Sequence, residues 1–289
     1  MKSSEITALI KLLDDDDKEV YQLVRKQLID NPDDVLPLLK DYWDEEISAE
    51  HLNRIEQLED EIFFNKVKNE IEKKSHSDVD FLPFLFQIAL IFNHDLTFAD
   101  LQKKIQKQKQ TIWLELNVHQ TFLEQLHVFN KVFYEVLGYK GDINAASISD
   151  FTIDTVLEKK QGSVIIVGLL YLILAKEVGI DLYGVCLKNY FILCASKAPL
   201  LGLELDKKDL SHFFYINPIN KGIIFSKKEI EDYIKKTAIE TKEEYFLPAE
   251  NLRVCTEYLD YIITYLDYTS NFEKLTQVKI LKKVLEKFL

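Results

Sequence analysis

Hydrophobic residues recur at helical spacing through the first half of the chain and again near its end. In the N-terminal part, Val20 and Val24 share one face of a segment that follows the aspartates at positions 14–17. Aspartates ahead of a helix accept hydrogen bonds from its first backbone N–H groups, so this pattern predicts a capped helix, followed by a second from residue 32. Further helices are predicted at about 47–73, 78–93, 97–116 and 119–137.

The distribution of glycine separates the middle of the chain from its flanks. All eight glycines lie between Gly138 and Gly222. Glycine serves turns, caps and close backbone contacts, so glycine-free flanks rich in Leu, Ile, Lys and Glu are predicted to be helical. Strand-like runs occupy residues 183–187, 190–195, 212–216 and 223–225. The tight connection at 217–222 predicts a hairpin within a small antiparallel sheet.

An unbroken apolar run at residues 164–175 predicts a buried helix, which Gly179 is placed to end. Before this helix we expect a polar loop over 138–154 and a short helix that ends at Gln161-Gly162. After the sheet, a capping box formed by Ser226 and Glu229 is predicted to open another helix that reaches about residue 236.

These elements predict an α+β protein that is predominantly helical. Two closing helices, at about 248–267 and 270–288, are expected to pair as a hairpin. The aspartate-led helices at the N-terminus resemble one unit of a HEAT-type repeat. We therefore expect a HEAT-like helical region at 1–96, a mixed core at 97–240 and a C-terminal helix pair at 241–289.

The charge balance argues against two classes of partner. The chain carries 36 Lys and Arg against 48 Asp and Glu, a formal net charge of −12. Binding to phosphate backbones or anionic lipid needs a basic face, so neither nucleic acid nor a membrane is an expected partner. Four lysines on the predicted 97–116 helix favour a solvated face, with contact to a polyanion as the alternative: Lys103, Lys104, Lys107 and Lys109.

Several motifs that the sequence lacks bear on the compartment of the protein and on its cofactors. Three cysteines without a C-x-x-C pair do not form a disulfide framework, and the N-terminal segment contains no apolar signal region, which favours the cytoplasm. The longest apolar run, of 12 residues, is shorter than a membrane span. No glycine-rich phosphate loop occurs, and His119 and His127 lie eight positions apart, so we expect no cofactor and no metal.

Four stretches of the chain resemble, in order, motifs of the transglutaminase-like superfamily, in particular its SirB-type branch. They are residues 112–139, 156–179, 184–193 and 215–226. The resemblance covers about 112–236 and implies a papain- or transglutaminase-like core. The closing helix pair is similar to the tetratricopeptide-like tail of that branch.

The resemblance also implies where a catalytic triad would lie. Active members place Cys at the start of the core helix, His on a following strand and Asp or Asn on the next. The helix N-terminus lowers the thiol pKa, His holds the proton and the third residue orients the imidazole. By motif, these positions fall on Val164, Tyr190 and Asn217. Valine has no nucleophilic atom, and tyrosine is a poor base at neutral pH.

The site therefore favours a catalytically silent protein that acts as a cytoplasmic interaction or regulatory module, with another protein as its partner. One alternative is a divergent cysteine protease or transglutaminase-type enzyme whose Cys/His pair has moved to Cys186 or Cys194 with His212. A further alternative is a cleft that binds a small ligand without turning it over. Cys255 fits the apolar spacing of the closing helices and is expected in the core.

Overall fold

A computed structural model describes residues 2–41, 48–74, 79–187, 190–196, 213–236 and 242–289 of the protein. The chain divides into two compact units, Met1–Glu70 and Ile71–Leu289. Helices with a small antiparallel sheet and a parallel strand pair confirm the predicted helical α+β class. The finer division at residues 96 and 240 stays a prediction.

The first unit is helical, and the last of its helices extends a few residues past the unit boundary. Their bounds are α1 Ser3–Leu12, α2 Lys18–Ile29, α3 Pro32–Asp41 and α4 Ala49–Lys74. Asp17 caps α2 by accepting a hydrogen bond from the Glu19 backbone N–H at 2.8 Å, so the predicted capping role of the aspartate run is confirmed. Their apolar faces meet in one core that includes Ile10, Leu28 and Ile55.

The second unit opens with helices that cover its central helix. They are α5 Phe81–Leu90, α6 Phe98–Trp113, α7 Phe122–Lys131 with a π-helical turn Val132–Val136, and α8 Ile153–Lys159. Thr121 caps α7 through a reciprocal pair of bonds with Glu124, so this helix begins three residues later than predicted. A 3-10 turn, Ile148–Asp150, precedes α8.

The central helix α9 runs from Val164 to Glu177, and every residue as far as Ala175 is buried. Gly179 follows the C-cap residue Val178, as predicted, and its φ is +80°, where a side chain would be strained. The Ile180 N–H bonds to the Ala175 carbonyl at 2.9 Å, and the Gly179 N–H bonds to Lys176 at 3.1 Å. These two bonds form a Schellman cap.

Four antiparallel strands form the main sheet in the order β3-β4-β5-β6. Their bounds are β3 Tyr183–Leu187, β4 Tyr190–Ser196, β5 Phe213–Asn217 and β6 Ile223–Phe225. Residues paired across strands share a face, and neighbours along a strand point to opposite faces. The sheet therefore has one face toward α9 and one face toward α10, which spans Lys227–Lys236.

The expected polar loop over 138–154 and the helix end at Gln161-Gly162 need correction. Residues Lys140–Asp142 form β1, which pairs in parallel with β2, Gln161–Ser163, while α8 ends at Lys159. These strands have three residues each and no apolar alternation, so their pairing depends on tertiary contacts that the sequence pattern does not show.

The C-terminal part contains the predicted hairpin. Glu229 accepts a hydrogen bond from the Ser226 N–H at 2.7 Å at the start of α10, in agreement with the predicted box. After a 3-10 turn, Glu243–Phe246, helices α11, Asn251–Tyr268, and α12, Phe272–Glu286, pack against each other. Within the described residues, no helix combines the length and the apolarity needed to cross a bilayer.

Candidate functional site

The leading end of α9 is the place where the family resemblance puts a nucleophile. Val164 is its first helical residue, and only 7% of its surface is exposed. Ser163, the N-cap residue, is also buried, and its hydroxyl has no hydrogen-bond partner among the described residues. The helix N-terminus would stabilise a thiolate here, but the side chain is a hydrocarbon.

The sheet face that packs on α9 is apolar along β4 and β5. A Cβ placed on Gly168 of α9 would lie 2.6 Å from Cδ1 of Phe191, so the Phe191 ring lies directly against the helix backbone. By alternation the residues on this face are Phe191, Leu193, Ala195, Phe214 and Ile216. Among the described residues of these two strands, the face toward α9 therefore carries no group that accepts a proton at neutral pH.

The same ring is confined on its other side by β3. A Cβ on Gly184 would lie 2.9 Å from Cε2 of Phe191, so the ring is held between Gly184 and Gly168. The Phe191 ring can fill the space between α9 and the sheet only because both neighbouring positions, Gly168 and Gly184, lack a side chain. Sequence reasoning did not identify Phe191, although it directly follows the position aligned with the family's histidine.

Tyr190 and Asn217 lie on the opposite face of the sheet. Both line a pocket of about 280 Å³, together with Ile192 of β4 and Ile230 of α10. Val164 is absent from the described residues that line this pocket. The structure thus brings two of the three predicted positions together and places the third on the helix that packs on the other face.

Asn217 supports a turn through its side chain. Its Oδ1 accepts hydrogen bonds from the backbone N–H groups of Ile219 at 2.9 Å and Asn220 at 3.3 Å. The Gly222 N–H bonds to the Asn217 carbonyl at 3.0 Å, and Gly222 has a φ of +67°. This is an Asx-turn geometry in which the acceptor oxygen is already occupied, so Asn217 is a turn residue rather than an orienter of an imidazole.

A polar network beneath this turn was not predicted. Asn130 of α7 donates to the Gly222 carbonyl at 3.0 Å and accepts from the Tyr171 hydroxyl at 2.6 Å. Tyr134, in the π-helical turn, donates to the Pro218 carbonyl at 2.9 Å. Burial raises the pKa of the Tyr134 and Tyr171 hydroxyls, so both stay protonated donors. Local sequence gives no signal for these bonds, because the partners lie 41 to 92 positions apart.

The two cysteines suggested as members of a relocated Cys/His pair lie on opposite faces of the sheet. Cys186 pairs with Phe191 and so lies on the α9 side, whereas Cys194 pairs with Tyr215 on the α10 side. Burial, with a smaller contribution from the Glu257 carboxylate, raises the pKa of Cys186 to about 12. His212 lies outside the described residues.

Cys255 is a further buried thiol. Cys255 is fully buried in α11, as expected, and burial raises the pKa of its thiol. A high pKa keeps a thiol protonated and weakly nucleophilic. Across the part of the chain that the structure describes, no group of His, Cys, Asp or Glu side chains is arranged to hold a metal ion.

The fold places a buried helix against an antiparallel sheet. A family model described as the transglutaminase-like superfamily matches residues 99–260, more than half of the chain. The protein therefore belongs to the transglutaminase-like superfamily. No curated protein and no solved structure matches the chain.

Proposed function

We propose that this protein is a catalytically silent member of its superfamily that works by binding another protein in the cytoplasm. The observation that carries the proposal is Val164 at the leading end of α9, where the chemistry of the superfamily needs a thiol. The apolar α9-facing side of the sheet supports it, because Phe191 fills the space next to the helix.

The state of the cysteines supports the same conclusion. All three are free and buried. Cys186 and Cys255 have raised pKa values, so at neutral pH they are thiols rather than thiolates. Buried free thiols also agree with a reducing compartment, which is the basis for proposing the cytoplasm.

A thiol-directed acyl probe tests the silent site. We expect the native protein to remain unlabelled on the time scale in which an activated cysteine reacts, and the guanidinium-unfolded protein to be labelled at all its thiols. Intact-mass spectrometry and peptide mapping give the sites. Rapid stoichiometric labelling of native Cys186 or Cys194 that is lost in His212→Ala would favour the divergent enzyme.

The interaction role is supported by apolar side chains that are exposed beside the core. Trp113, Leu114 and Val118, at the end of α6 and in the turn that follows, are 63%, 74% and 89% exposed. Contiguous exposed apolar residues mark interaction sites more often than single ones do. The C-terminal pair α11 and α12 is proposed as a tetratricopeptide-like tail of SirB type, and α1 to α3 as HEAT-like helices.

Affinity capture from the protein's own cell extract tests this role. We expect specific partners to be retained by the wild type and lost when Trp113 and Leu114 are both changed to Ser. The matched control is Leu23→Ser, which changes an exposed leucine of the first unit. Equal capture by all three proteins would refute the assignment of this surface, and no specific capture by the wild type would refute the role.

The pocket that holds Tyr190 and Asn217 favours a second candidate function. Its volume of about 280 Å³ and its largely apolar lining suit a small molecule with one or two polar groups. A thermal-shift screen of metabolites tests this, with Ile230→Trp as the variant that fills the pocket. A ligand that stabilises the wild type and not the filled variant would support binding here.

A further inference from the structure

A group of lysines lies where α6 meets the end of α8, on an otherwise acidic chain. Lys160 directly follows α8, and its backbone adopts a left-handed conformation with a φ of 59°. Its N–H bonds to the Val156 carbonyl and its carbonyl accepts from the Lys140 N–H, both at 2.9 Å. The position of Lys160 is therefore fixed on both sides by backbone bonds.

The Lys160 ammonium is also held in place. It lies 2.9 Å from the Tyr139 hydroxyl, which in turn donates to Oε1 of Gln108 at 2.7 Å. Because the Tyr139 proton is used by Gln108, the phenol oxygen accepts from Lys160. One ammonium proton is therefore committed to the buried pair, and an ammonium has three. The other two remain available to a ligand.

Two further lysines, Lys104 and Lys107, lie on the neighbouring part of α6. Gln108, the residue after Lys107, accepts from the same Tyr139 hydroxyl that Lys160 contacts, so the Lys160 ammonium lies beside this part of the helix. Burial, followed by the charges of Lys104 and Lys107, lowers the pKa of Lys160, in agreement with this placement. Lys104 is compensated by Glu158, at 2.6 Å. Among the described residues, Lys107 and Lys160 have no carboxylate partner. Two positive charges are thus left without a carboxylate partner, one on the partly buried Lys160 and one on the exposed Lys107.

The surface of α6 next to Lys104 and Lys107 is concave. A groove of about 760 Å³ along this helix is lined by Lys103, Lys104 and Lys107, together with the neutral side chains of Asn93 and Gln110. Asp95 and Asp100 also line it, and Asp100 accepts a hydrogen bond from the Thr97 hydroxyl at 2.6 Å in the α6 cap. The groove thus has acidic groups at the start of α6 and uncompensated lysines farther along the helix.

We propose that Lys107 and Lys160, with Lys104 beside them, bind a small phosphorylated anion at the junction of α6 and α8. A phosphate group carries close to two negative charges and three acceptor oxygens, which matches two uncompensated ammonium groups with free donors. A long nucleic acid fits less well, because the chain carries a net charge of −12 and would repel an extended polyanion.

Calorimetric titration with inorganic phosphate and pyrophosphate tests the proposal on the full chain. Lys160→Gly removes the ammonium and suits the left-handed backbone, so this variant is expected to fold. We expect pyrophosphate to bind more tightly than phosphate, and Lys160→Gly and Lys107→Gln each to weaken binding about tenfold. The matched control is Lys159→Gln, which removes the lysine directly before Lys160. The Lys159 ammonium donates to the Ser149 hydroxyl at 3.2 Å and is not part of the proposed site.

Protection from amine acylation gives an independent readout. With pyrophosphate present, the modification of Lys107 and Lys160 should slow, while that of Lys159 should not change. No heat and no protection in the wild type would overturn the proposal, as would equal affinity in all the variants. Tighter binding of a single-stranded oligonucleotide than of pyrophosphate would also overturn it, in favour of a polyanion surface.

Discussion

The contact between Gly168 and Phe191 allows the packing that closes the candidate site to be tested quantitatively. In Gly168→Ala, the new Cβ would lie 2.6 Å from Cδ1 and 2.7 Å from Cε1 of Phe191. The ring has little room to move away, because it also lies close to the β3 backbone, where a Cβ built on Gly184 would be 2.9 Å from Cε2 of Phe191. Overpacking of this kind costs about 1–3 kcal/mol, and a ring held on both sides favours the upper part of that range.

The opposing effect is the helix propensity of alanine. Replacing a mid-helix glycine by alanine stabilises a helix by about 1 kcal/mol. We therefore expect Gly168→Ala to lower the free energy of unfolding by about 1–2 kcal/mol, measured by urea denaturation at pH 7. An exposed or loosely packed helix would show the opposite sign, since only the propensity would remain.

A double-mutant cycle separates the clash from other effects. In a Phe191→Leu background the ring is gone, so Gly168→Ala should be neutral or stabilising there, although Phe191→Leu itself destabilises. The expected coupling energy is about 1–3 kcal/mol. If Gly168→Ala costs the same in both backgrounds, or stabilises the wild type, then Phe191 does not fill the space beside α9 and the reasoning fails.

Three smaller predictions concern other parts of the chain. Asp17→Ala should destabilise the first unit by about 1 kcal/mol through loss of the α2 cap, whereas Asp16→Ala should have little effect, as thermal denaturation would show. Asn130→Ala should cost about 2 kcal/mol in denaturant unfolding, because it removes both bonds beneath the β5–β6 turn, and a smaller loss would make that network dispensable. Burial and the charge of Asp260 raise the pKa of Glu257, so its folded-state pKa lies above its unfolded-state pKa. The stabilising contribution of the protonated carboxyl is therefore complete at acid pH. It is lost as the pH rises through the folded-state pKa. Glu257→Gln should therefore raise the Tm at pH 7 and not below about pH 4, and an equal shift at both pH values would contradict the assignment.

Features carried by local periodicity could be predicted from the sequence. The burial of residues 164–175 followed from an unbroken apolar run, and the end of α9 followed from Gly179. The strands of the main sheet were predicted within one or two residues where the structure describes them. In each case, the signal lies in a short segment and does not depend on distant contacts.

Features that depend on pairing between distant segments could not be predicted. The β1–β2 pair joins segments about 20 positions apart that have no strand-like alternation. The motif assigned Tyr190 and Asn217 to one site with Val164, but strand alternation places both side chains on the sheet face toward α10. A linear motif specifies order and spacing, whereas the face of a strand depends on register, which tertiary packing sets.

An acyl-transfer assay with a glutamine-containing peptide and a fluorescent primary amine tests the central claim most directly. The comparison is between the wild type and a variant in which Cys186, Cys194 and Cys255 are all replaced by Ala and which is shown to be folded. A silent site predicts that both proteins give the same background rate of amine incorporation and of peptide hydrolysis. Turnover by the wild type that disappears in the cysteine-free variant would contradict it.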